Sequence, residues 1–122
     1  MILVDTSVWV DHLRASDPNL RDFLEAREVL SHPFIIGEIS LGNLPQYDLV
    51  LSSLELLPKA VKASDEDVLH LIKQRKLFGI GIGYVDAHLL ASVLLTPEAR
   101  LWTRDKRLEK TAWALGRSLS NA

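Results

Sequence analysis

Short apolar runs, each closed by turn-forming residues and followed by an amphipathic stretch, constrain this chain more than any other feature. MILV is ended at once by Asp5, Thr6 and Ser7 and reads as a buried strand, after which SVWVDHLR reads as a first helix. Asp17-Pro18 places a cap and a proline at the start of a second helix, with Leu20, Phe23 and Leu24 as its apolar stripe. Val29 and Leu30 mark a second short strand. PFIIGEISLG has the pattern of a short, very apolar helix stopped by Gly42, Asn43 and Pro45, and Gln46 to Leu57 carries another helical stripe. PKAVKA is a candidate short strand. Ser64 followed by Asp67 is a capping-box start for a helix that keeps Val68, Leu71 and Ile72 on one face and ends near Gly79. YVDAHLLASVLL is the next helix, ARLWT the final strand, and a basic terminal helix begins at Asp105. Strands alternating with helices predict an α/β fold, a single domain over residues 1–122 with a mostly parallel central sheet flanked by helices.

Several function classes are excluded early. The chain has no cysteine, which removes disulfides, zinc–thiolate sites and thiol catalysis. No apolar run approaches the ~20 residues that span a bilayer, and Asp5 interrupts the only stretch resembling a leader. A cytoplasmic protein with no membrane partner is the expectation. The net charge of −2 argues against a nucleic-acid binder, but the charge is unevenly placed. Arg100, Arg104, Lys106, Arg107, Lys110 and Arg117 are opposed after residue 99 only by Asp105 and Glu109, and Lys73, Arg75 and Lys76 form a second basic cluster. Such clusters are usually solvated helix faces, yet they also suit a phosphate backbone.

The chemistry rests on carboxylates. Asp5 and Asp105 each follow an apolar strand, and ligands of open parallel sheets sit at the carboxyl ends of strands. Taken singly, Asp5 reads as a turn residue and Asp105 as a helix cap. Glu38 sits among Ile35, Ile36, Ile39 and Leu41, where an ionised carboxylate is costly unless it reaches solvent, a cation or a donor. Asp86 lies in the first turn of its helix on the side of core residues. Carboxylates gathered in one place repel unless a cation is present, and an oxygen-only set suits Mg²⁺ or Mn²⁺. Metal-assisted phosphoryl transfer or phosphodiester hydrolysis is the matching reaction class. His12, His32, His70 and His88 are scattered and read as surface or satisfied core residues; Trp9, Trp102 and Trp113 read as core, and Asp11 as a surface charge. In GIGIGYVDAHLLAS the glycines do not match a dinucleotide fingerprint, and the segment reads as a helix-to-helix connection that aims Asp86.

MILVDTSVWVDHLR, the central Glu38, GIGYVDAHLLAS and LWTRDKRLEK, in this order, strongly resemble PIN-domain ribonucleases, and more narrowly the VapC-type toxins of bacterial toxin–antitoxin pairs. The resemblance spans essentially the whole chain. It matches the family's four acidic positions to Asp5, Glu38, Asp86 and Asp105 as catalytic and metal-binding residues, with Thr6 and Thr103 as hydroxyls that orient them. It implies endoribonuclease activity with Mg²⁺ or Mn²⁺, homodimerisation and inhibition by a cognate antitoxin. Arg104, Lys106, Lys73, Arg75 and Lys76 are candidate RNA contacts. A response-regulator receiver would need an acidic pair where Asp5 is followed by Thr6, and a haloacid-dehalogenase-type phosphatase would need an aspartate where Ser7 stands. The alternative from another class is a PIN-like module that binds protein or RNA without cutting it.

Overall fold

β1 (Ile2–Val4) is the central strand of a three-stranded parallel sheet, with β2 (Val29–Leu30) on one side and β3 (Arg100–Trp102) on the other. The computed structural model describes residues 1–121. Every residue of β1 is buried, which explains why MILV is a continuous apolar run rather than an alternating one. The chain leaves β1 through α1 (Thr6–Arg14) and α2 (Pro18–Glu25) to reach β2. It then runs through α3 (Pro33–Ser40), α4 (Tyr47–Glu55), α5 (Asp65–Gln74) and α6 (Tyr84–Leu95), crosses back to β3 and ends with α7 (Lys106–Ala114). The chain passes from β1 to β2 on one side and then across to β3 on the other, so the order reverses at β1. Open parallel sheets bind ligands in the crevice outside the carboxyl ends of the strands at such a point, here β1 and β3.

α6 is the core helix. Its residues Ala87 to Val93 are all buried, so it needs no polar stripe. It packs with Val4, Val8, Leu20, Ile35, Val68, Leu101 and Leu108 into one apolar cluster. The helix starts are those expected from sequence: Asp17 caps α2 ahead of Pro18, and Ser64 with Asp67 forms a complete capping box on α5.

The structure departs from the sequence reading in four places. PKAVKA contributes one bridge, Ser31 to Lys59, and no strand. α5 ends at Gln74, short of Gly79, because Lys76 takes up the left-handed conformation (φ 55°) that a glycine usually supplies. Leu77 N–H then donates to Ile72 O and Lys76 N–H to Lys73 O, closing the helix and burying Leu77. Arg27 (φ 58°) ends α2 by the same motif. Trp113, expected in the core, is 59% exposed on α7, whereas Trp9 is buried. Glu38 lies on an exposed face of α3, so the expected desolvation cost does not arise.

Candidate active site

Three helix N-termini open onto the crevice, and each carries one of the aspartates. Asp5 caps α1, Asp105 caps α7 and Asp86 is the third residue of α6. The positive ends of these helices and their unpaired N–H groups stabilise carboxylates there. Asp105 Oδ1 accepts from Arg107 N–H and Leu108 N–H at 3.0 Å each, and Asp86 Oδ2 accepts from Gly83 N–H at 3.1 Å.

Asp5 is the buried member, and its Oδ2 is the most heavily engaged. Ser7 Oγ donates to it at 2.7 Å and Thr103 Oγ1 at 2.8 Å, with Ser7 N–H at 3.4 Å. Thr103 Oγ1 in turn accepts from Asp105 N–H at 3.1 Å, which links the ends of β1 and β3 through one hydroxyl. Thr6, next to Asp5, donates from Oγ1 to Glu38 Oε1 at 2.7 Å and brings α3 into the same group. Burial first, and then the charges of Asp5 and Asp105, push the Asp86 carboxyl above its ordinary value against the opposing Gly83 hydrogen bond. The four acidic residues picked from sequence are thus connected through Thr6, Thr103 and mutual electrostatics.

Each carboxylate uses one oxygen for these bonds and keeps the other without a protein donor among the described residues: Asp5 Oδ1, Asp86 Oδ1, Asp105 Oδ2 and Glu38 Oε2. No arginine or lysine pairs with any of the four within that range. Among the described residues no group of three or more His, Cys, Asp or Glu side chains stands in a ready chelating cage. An open, oxygen-only set with uncompensated charge fits Mg²⁺ or Mn²⁺, which retain waters and take one or two carboxylates plus substrate phosphates. It does not fit zinc, which takes a closed set of nitrogen and sulfur ligands in structural sites.

Ser7 belongs to this group although sequence reasoning did not select it as a site residue. Besides Asp5 it touches Thr103 Oγ1 at 3.3 Å and accepts from Arg104 N–H at 3.0 Å. The signal was present: a hydroxyl two residues after a capping aspartate is placed to bond back to it. The Arg104 side chain clasps Asp11 Oδ2 and Asp17 Oδ2, both at 2.6 Å. Lys106 is exposed at the start of α7; Lys73, Arg75 and Lys76 are exposed where α5 runs into the loop before Asp86. The histidines stand apart from the carboxylates in their bonding. His32 bonds Ser92, His12 accepts from Asp17 N–H, and His88 Nε2 meets Asp65 while its buried Nδ1 has no partner among the described residues.

Sheet order and crevice together define an α/β protein whose polar centre is a carboxylate group at the carboxyl ends of two adjacent parallel strands. A family model of the PIN domain matches residues 2–114, and the chain belongs to that family. It is 48% identical over 120 residues to ribonuclease VapC32 of Mycobacterium tuberculosis strain CDC 1551 / Oshkosh, covering 98% of this chain and 97% of the relative. The same figures hold for ribonuclease VapC32 of strain ATCC 25618 / H37Rv. Within the PIN family the chain is therefore of the VapC type.

Proposed function

We propose that this protein is a metal-dependent endoribonuclease, the toxin of a type II toxin–antitoxin pair, with Asp5, Glu38, Asp86 and Asp105 as its catalytic and metal-binding residues. The observation that carries the reading is Asp5: a buried carboxylate held by two hydroxyls, with one oxygen free of donors and no Arg or Lys paired to it among the described residues. The name carried by both VapC32 relatives supports RNA as the substrate and a cognate antitoxin as the partner. We assign the whole chain, residues 1–122, to this one domain, acting in the cytoplasm as a homodimer. Among the described residues no helix is long and apolar enough to cross a membrane.

Asp5 and Asp86 would hold Mg²⁺ or Mn²⁺ most directly, with Asp105 and Glu38 completing the set. When bound, the ion supplies Lewis acidity toward the phosphate and makes a coordinated water more acidic. Thr103 and Ser7 hold the Asp5 carboxylate through one oxygen and would leave the other for the ion, and Thr6 does the same for Glu38. The Asp86 carboxyl, raised first by burial and then by the charges of Asp5 and Asp105, would have its ionised form stabilised by a bound cation. Purified protein incubated with total RNA tests the reading. Cleavage is expected with Mg²⁺ or Mn²⁺ and is lost with chelator and in Asp5→Asn; cleavage that survives both treatments overturns it.

A further inference from the structure

Arg107 is an uncommitted cation, among the described residues, on the helix that Asp105 caps. It sits on the first turn of α7, where its own N–H donates to the Asp105 carboxylate. Its side chain runs across to the glycine loop before α6. A Cβ on Gly81 would lie 2.5 Å from Arg107 Nη1 and 3.0 Å from Cδ and Cζ, so the guanidinium rests on the bare backbone of that residue. Gly81 also has φ +86°, a conformation that side chains rarely adopt. The loop therefore seats Arg107 between the element bearing Asp105 and the one bearing Asp86.

The guanidinium makes no hydrogen bond or ion pair among the described residues. Arg100 and Arg117, by contrast, bond backbone carbonyls, and Arg104 is committed to Asp11 and Asp17. Other surface arginines are equally unpaired; what sets Arg107 apart is that its guanidinium lies against the Gly81 backbone in the loop before α6. Nor is it among the charges that perturb Asp86, which are those of Asp5 and Asp105. An acidic crevice repels a polyanion, so a strand entering it needs a positive group beside the metal site. A guanidinium already held in place loses little freedom when it binds, and its planar fork matches two phosphate oxygens.

We propose that Arg107 binds a backbone phosphate of the RNA strand as it enters the crevice, and that Gly81 is there to seat it. The proposal takes its substrate from the ribonuclease reading. It is tested by fluorescence anisotropy with a labelled single-stranded RNA of mixed sequence, over a range of salt, alongside cleavage of total RNA. Arg107→Ala is expected to weaken RNA binding about tenfold and to lower the salt slope by about one. Arg107→Lys recovers the slope but only part of the affinity. Gly81→Ala weakens binding when Arg107 is present and adds nothing in the Arg107→Ala background, where any strain on the fold is shared. Thermal melting of each variant establishes that it is folded. If Arg107→Ala binds RNA with unchanged affinity and slope, the proposal falls, while Asp5-dependent cleavage by the unaltered protein leaves the ribonuclease reading standing. If the unaltered protein cuts no RNA yet Arg107→Ala lowers binding, the ribonuclease reading falls and the phosphate contact stands.

Discussion

Thr103 Oγ1 donates to Asp5 Oδ2 at 2.8 Å and accepts from Asp105 N–H at 3.1 Å, so one hydroxyl ties together the residues that follow two neighbouring strands. Thr103→Val preserves shape and removes both bonds. Its expected effects are a stability loss of about 1–3 kcal/mol, because a buried carboxylate loses a donor, and a 10–100-fold fall in cleavage rate. Thr103→Ser restores most of both. Denaturant melts and initial cleavage rates on the same preparations check this.

Asp86 separates stability from activity. Its carboxyl is raised by burial and by Asp5 and Asp105, so ionising it works against the fold when no cation is bound. Asp86→Asn keeps the acceptor for Gly83 N–H and removes the charge. The metal-free variant is expected to melt higher than the unaltered protein while cleaving RNA about a hundredfold or more slowly. Added Mn²⁺ raises the melting temperature of the unaltered protein, as any ligand of the native state does, and raises that of Asp86→Asn less. A variant that melts lower without metal would contradict this account of the Asp86 charge.

His32 predicts an acid weakness remote from the chemistry. It is fully buried, accepts from Phe34 N–H through Nδ1 and bonds Ser92 Oγ through Nε2. Burial, with the nearby charges of His88 and Lys62, lowers its pKa from 6.5 to about 4. Below pH 6.5 the unfolded chain takes up a proton that the folded chain refuses, so stability falls as the pH drops toward 4. The loss at the bottom of that window is on the order of 2–3 kcal/mol. His32→Asn keeps the helix cap and should flatten this part of a plot of stability against pH.

Arg27 offers a stabilising change away from the crevice. It ends α2 at φ 58°, a conformation that costs most side chains about 1–2 kcal/mol. Arg27→Gly relieves that cost but adds freedom to the unfolded chain, leaving a net gain of about 0.5–1 kcal/mol. Urea melts should register it with cleavage unchanged.

Much of the architecture was legible because capping chemistry is local. Asp17, Ser64 and Asp105 announce helix starts by their own side chains and immediate neighbours, and all three cap in the structure; Asp5, which reads as a turn residue, caps α1 as well. That same locality let two carboxylates be placed at strand ends before any fold was known. The link from Glu38 to Thr6 joins residues far apart in the chain, and no spacing rule reports it; the family resemblance placed both in one site without pairing them. Arg104 shows the opposite limit. A basic residue beside Asp105 suits RNA, but a long side chain can turn either way, and this one turns to Asp11 and Asp17. The end of α5 was misjudged because a lysine occupies a backbone state usually marked by glycine.

The aspartates of the crevice each spend one oxygen starting a helix and keep one for the crevice. On the proposed reading, chemistry and folding are written into the same side chains, which narrows the routes by which such a chain can lose its activity and persist. Alanine at Asp5 or Asp105 would silence the enzyme and loosen α1 or α7 together, at about 0.5–2 kcal/mol each. Asparagine or serine would silence it and leave the helix start in place. A descendant kept only for its ability to bind should carry asparagine or serine at these positions, and the choice between those residues and alanine would record which of the two duties selection had released.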